Sequence, residues 1–193
     1  MRCAAVNAHM HDALAPSPWI TRFAPLVPAG ARVLDVAAGR GRHARHLAAR
    51  GARVLAVDRD AQALASLDGV DGVETLVADL EAGAWPLRTA IFDAIVVVHY
   101  LHRPSFDALL AALAPGGVLL YETFAQGNER YGRPANPAFL LAPGELLARV
   151  HGRLTVVAFE QGDEAGADAR RVVQRIAAVG AARAWPPALL PGA

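Results

Sequence analysis

The sequence contains no lysine: all nineteen of its basic residues are arginine. That absence removes a phosphate-loop lysine, a Schiff-base lysine and the tyrosine and lysine pair of short-chain dehydrogenases. Cysteine is nearly lacking too. With Cys3 alone, neither an intrachain disulfide nor a thiolate metal cage can form, and a reducing compartment is the expectation. An excess of one charge sign is also missing, since eighteen acidic residues leave a formal net charge of +1. Such a balance gives no global field to draw nucleic acid or a membrane surface. No apolar run reaches about 18 residues without interruption. His9, His11, Asp12, Pro16 and Pro18 break up any signal-peptide core, so a cytoplasmic protein is expected.

What is present is enough for one well-filled core. At 193 residues with 54% hydrophobic content, the chain reads as a single domain over 1–193, with flexible ends at 1–15 and 185–193. Apolar strand-like runs at 32–36, 53–57, 73–77, 91–98 and 117–123 alternate with helical stretches at 41–50, 60–67 and 105–113. A short helix at 19–26 precedes them, and residues 114–117 read as a helix stop and turn. The alternation predicts an α/β fold, a Rossmann-like, doubly wound and mostly parallel sheet. Further on, residues 143–150 read as a helix, and 153–159 and 170–179 as two strands forming a C-terminal antiparallel hairpin. Residues 124–141 are polar and aromatic without periodicity, and a long loop of that kind in a compact domain is usually functional.

The first strand carries the most informative pattern. Val33, Leu34 and Val36 suit a covered parallel strand ending at Asp35, and Gly39 and Gly41 let backbone approach a ligand before the next helix begins. Asp58 closes the second strand and suits a ribose diol. Asp79 follows the third strand, where its carboxylate can accept from an exocyclic amine while the Leu80 amide donates to a ring nitrogen. Two cofactors compete for such a site. Gly39, Gly41 and Ala44 fit a dinucleotide fingerprint, but a lone match of that kind is weak.

Asp35 four residues ahead of Gly39, with Gly41 beyond, is more specific. Together with the fourth strand from Phe92 to His99 and the fifth-strand approach from Leu113 to Leu120, it resembles the class I S-adenosylmethionine-dependent methyltransferases over about residues 30–123. The compact size is similar to the tellurite-resistance-type small-molecule members. The resemblance implies the seven-stranded methyltransferase fold and S-adenosylmethionine as cofactor, with S-adenosylhomocysteine as product. It implies that Asp35 and the loop of Ala37, Gly39 and Gly41 hold the methionine end. Asp58, with Arg59 beside it, would take the ribose, Asp79 with Leu80 the adenine, and His99 would face the sulfonium. Ala37 and Ala38 depart from the commonest loop, which has a glycine-containing pair there.

Methyl transfer from a sulfonium is an in-line displacement, so the protein mainly positions the nucleophile and removes its proton where needed. Candidates follow the fourth strand: His99 or His102 as base and Tyr100 as pocket wall. In the acceptor lid after the fifth strand, Arg130 or Arg133 would pair with an anion, and Tyr131 and Phe124 would flank a planar or sulfonium-bearing group. Trp19 reads as core. His43 and His46 read as surface residues, and no metal site is expected. The expected partner is a small-molecule acceptor, with no nucleic acid and no membrane, for a monomer or homodimer. The chain lacks the Asn/Asp-Pro-Pro-aromatic tetrapeptide common in base-amino methyltransferases. Two readings compete with methyl transfer: an NAD-dependent oxidoreductase using the same glycine loop, and a non-catalytic module that only binds S-adenosylmethionine.

Overall fold

In the computed structural model, which describes residues 15–83, 85–87, 89–165 and 170–187, seven strands form one sheet in the order β3-β2-β1-β4-β5-β7-β6. The strands are β1 Arg32–Val36, β2 Arg53–Asp58, β3 Val73–Val77, β4 Phe92–Val98, β5 Leu113–Phe124, β6 Leu154–Ala165 and β7 Arg170–Gly180. The first five run parallel, and β7 lies antiparallel between β5 and β6, as the alternating pattern and the terminal hairpin predict. This is the seven-stranded methyltransferase arrangement. Chain direction across the sheet reverses between β1 and β4, whose register pairs Val36 with Val97. Open α/β sheets bind ligands outside the carboxyl ends of the strands at such a switch point.

Short helices cover both faces: α1 Pro18–Phe23, α2 Arg42–Ala48, α3 Ala61–Leu64, α4 Phe106–Ala111 and α5 Glu145–Val150. Each start has a local cause. Ser17 Oγ accepts the Trp19 amide ahead of a proline at the first turn of α1, and Asp60 accepts the Gln62 and Ala63 amides to cap α3. One core packs Trp19, Ile20, Phe23 and Leu47 against Val33 and Val96; the other packs Phe106, Leu109 and Leu146 against Leu34, Ile95 and Tyr121. Trp19 is core, as expected, and its indole N–H donates to the Ile176 carbonyl at 3.3 Å.

The helices are shorter than their periodicity suggests, because the stretches at 19–26 and 60–67 finish as tighter 3-10 turns. The turn expected at 114–117 requires correction. Phe92 pairs with Leu113 and Ala94 with Val118, so residues 114–117 bulge from the ladder within β5 and the chain stays in the same strand. Parts of the expected flexible ends, residues 1–14 and 188–193, lie outside the described residues, as do Cys3, His9 and His11. No helix among the described residues is long and apolar enough to cross a membrane.

Candidate active site

The carboxyl ends of β1, β2, β3 and β4 meet at one rim. Asp35, near the end of β1, is 1% exposed, and its Oδ2 accepts the Ala44 amide of α2 at 3.0 Å. Burial raises its carboxyl to about 7, against the opposing pull of that hydrogen bond and of Arg42. The loop from Ala37 to Gly41 holds three residues at positive φ, Ala37 at 52°, Gly39 at 56° and Gly41 at 72°. Gly39 is tied to β2 by its amide, which donates to Asp58 Oδ2 at 2.7 Å, while Asp58 Oδ1 accepts the Asp60 amide at 2.9 Å. A Cβ at Gly39 would stand in open space, whereas one at Gly41 would overlap the Leu67 side chain.

Beside this loop is a cavity of about 260 Å³ whose wall includes Ala37, Asp58, Arg59, Asp79 and Leu80. Five residues chosen from the sequence for the cofactor thus come together. Asp79 also closes a local turn, its Oδ1 accepting the Glu81 amide at 2.8 Å. Asp35 lies beneath the rim, and Gly39 and Gly41 shape the loop beside the cavity.

A second cavity of about 260 Å³ shares Glu81 and Tyr100 with the first and adds His99, Leu101, Phe124 and Phe139. His99 and Ala37 are the non-glycine residues at positive φ among those described, and they follow the two strands that flank the switch point. Strained backbone of this kind clusters where structure serves a ligand. The His99 amide donates to the Glu122 carbonyl at 2.9 Å, and its ring stacks on Phe124 at 4.7 Å between centroids. Burial, reinforced by Arg42, Arg171 and Arg175, lowers His99 to about 4, so the ring is neutral at neutral pH. Tyr100 is pushed up to about 12 by burial and the nearby Glu81.

The other candidates lie elsewhere. His102 is absent from both walls, and its Nδ1 is 3.1 Å from Ser105 Oγ at the head of α4. The Tyr131 hydroxyl donates to Asp163 Oδ2 at 2.5 Å, anchoring the loop after β5 to the β6–β7 hairpin. Arg133 is exposed and lines neither cavity, although Pro134 next to it lines the second.

His43 is a correction: it is 4% exposed, and its Nε2 accepts the Ser17 amide at 3.2 Å. Helix α2 packs that face against the N-terminal segment, and burial lowers the imidazole to about 3, keeping it neutral as an acceptor. His46 is half-buried, with an Nε2 that has no partner. No group of three or more metal-ligating side chains occurs among the described residues.

Sequence reasoning missed the charged network behind the rim. Glu122 is 1% exposed in β5; its Oε2 accepts Ser17 Oγ at 2.7 Å and Arg175 Nε at 3.1 Å. Its Oε1 lies 3.9 Å from His99 Nε2. The available signal was a lone acid directly after the apolar run from Val118 to Tyr121. Arg42, at the first turn of α2, was also missed. Burial lowers its guanidinium, and among the described residues it joins no ion pair.

This sheet order, with Asp58 closing β2, Asp79 just beyond β3 and a glycine loop at the switch point, is the arrangement of the class I S-adenosylmethionine-dependent methyltransferase fold. Residues 33–117 match the family model described as a methyltransferase domain. Demethylmenaquinone methyltransferase of Clavibacter sepedonicus is 38% identical over 106 residues, covering 50% of this chain and 42% of that protein. Ubiquinone biosynthesis O-methyltransferase of Xanthomonas axonopodis pv. citri (strain 306) is 34% identical over 144 residues, covering 66% of this chain and 54% of that protein. The chain therefore spans about half the length of these curated relatives. The crystal structure of TehB from Haemophilus influenzae superposes with a TM-score of 0.71 at 16% identity, covering 86% of this chain and 62% of that one, a likeness of fold.

Proposed function

We propose that this chain binds S-adenosylmethionine in the first cavity and transfers its methyl group to a small-molecule acceptor in the second, in a reducing, cytoplasmic setting. The observation that carries this reading is the shared wall: Glu81 and Tyr100 line both cavities, so two ligands meet at the rim. The residues suit the cofactor chemically. Asp58 offers carboxylate oxygens to a diol with Arg59 beside it, Asp79 and the Leu80 amide suit an adenine edge, and Gly39 leaves room for close approach. Asp35 suits the ammonium of the methionine end, and the half-buried Arg42 suits its carboxylate.

When bound, S-adenosylmethionine supplies an activated methyl group, and its sulfur takes the electron pair of the broken bond. The protein's own part is positioning. Neutral His99 at the end of β4 offers a ring nitrogen as hydrogen-bond acceptor to the acceptor's proton where one must leave, and the Phe124 ring stacked on it fixes the imidazole plane. Tyr131 anchors the loop that carries Pro134 and Phe139 to the second cavity. Two curated relatives are named for demethylmenaquinone and ubiquinone biosynthesis, which favours a small molecule as acceptor, while a third is named a tRNA U34 carboxymethyltransferase.

Incubation with methyl-labelled S-adenosylmethionine and a fractionated bacterial metabolite extract tests the proposal. Labelled product and stoichiometric S-adenosylhomocysteine are expected, both lost in Asp58→Asn. Tight cofactor binding without release of S-adenosylhomocysteine in any fraction would favour the non-catalytic binding module.

A further inference from the structure

The second cavity says what kind of acceptor it fits. Its apolar wall is aromatic and aliphatic: Phe124, Phe139, Leu101 and the Tyr100 ring, with the neutral His99 imidazole stacked on Phe124. Phe139 is 47% exposed at this cavity, a large apolar side chain left facing water. Glu81 is the one charged residue in the wall among the described residues, and its sign is negative.

No arginine lines this wall among the described residues; Arg42, Arg171 and Arg175, which act on the His99 imidazole, are not part of it. Arg103, near the same loop, is committed to Glu145 at 2.8 Å through both Nε and Nη2, and to the carbonyls of Ala138 and Leu140 on either side of Phe139. Arg130 donates to the Gly127 carbonyl and packs over the Tyr131 ring, away from the wall, and Arg133 is not part of it. A carboxylate or phosphate placed there would lose water, meet no cation in the wall itself and face Glu81. A flat ring would instead stack against the His99 and Phe124 pair and cover Phe139. At about 260 Å³ the space is a little below the range of about 300–1,000 Å³ that holds a drug-sized ligand, which suits a ring system of one or two fused rings.

We infer that the acceptor is a planar, one- or two-ring molecule without negative charge, its nucleophile a neutral hydroxyl, amine or ring carbon. This assignment rests on the reading of the first cavity as the S-adenosylmethionine site. It departs from the sequence expectation that Arg130 or Arg133 pairs with an acceptor anion.

The test uses three probes of matched shape, 2-naphthol, 2-naphthylamine and 2-naphthoate, titrated into the full chain after saturation with S-adenosylhomocysteine is verified by calorimetry. The neutral phenol and amine are expected to bind at least about tenfold more tightly than the carboxylate. Phe124→Ala is expected to weaken them about fivefold while leaving S-adenosylhomocysteine affinity within about twofold, and Arg133→Ala to leave all three probes unchanged. Naphthoate binding as tightly as naphthol, or loss of naphthoate affinity in Arg133→Ala, overturns the inference. Failure of every probe on protein that binds S-adenosylhomocysteine overturns it too and leaves the cofactor reading standing. Failure of wild type to bind S-adenosylhomocysteine removes both.

Discussion

Asp35 carries the largest conflict between stability and function at the residue scale. A carboxyl 1% exposed is raised from 3.8 to about 7 by burial, so the fold prefers its neutral form. The stability it contributes is therefore fully present below about pH 4 and is lost as pH rises through about 7. A cationic ligand at the rim reverses the preference by favouring the carboxylate. Asp35→Asn is expected to flatten the decline in apo melting temperature between about pH 4 and pH 8 and to weaken S-adenosylhomocysteine binding. Thermal melts of both proteins across that range check this, and parallel declines would refute it. The acids were legible in the sequence because strand ends and spacing mark them. Ser17, His43, Glu122 and Arg175 were not, since they come from four separate segments that only the fold brings together.

At the element scale, the start of α2 depends on two glycines with different surroundings. Both have positive φ, but a Cβ at Gly41 would overlap the Leu67 side chain, while one at Gly39 would meet nothing. Gly39→Ala should cost only the backbone penalty of about 1–3 kcal/mol, and Gly41→Ala more than that, because steric overlap adds to it. Urea midpoints of the two variants measure the difference; equal losses would mean that the loop relaxes around Leu67. Element types followed from the sequence wherever the apolar period was clear, as in β1, β2 and β4. The bulge at 114–117 was misread because proline and glycine mark a turn and a bulge alike, and the pairing of Phe92 with Leu113 is a nonlocal fact.

For the whole molecule, the parallel order from β3 to β5 delivers every proposed cofactor group to one edge, and the antiparallel β7 and β6 complete the sheet beyond it. The mostly parallel α/β class was legible from the alternation of strands and helices, and the seven-stranded arrangement from the resemblance to methyltransferases. The separation of the rim into two cavities was not. Glu81 and Tyr100, which line both, come from segments distant in sequence. Binding of S-adenosylmethionine in the first of these cavities underlies every functional role proposed for this chain. Calorimetric titration of the purified chain with S-adenosylmethionine, S-adenosylhomocysteine and NAD tests it, with Asp58→Asn, which keeps an oxygen for the Gly39 amide, as the control. Saturable binding of the first two, lost or strongly weakened in Asp58→Asn and absent for NAD, is the predicted result; binding of NAD alone would contradict it.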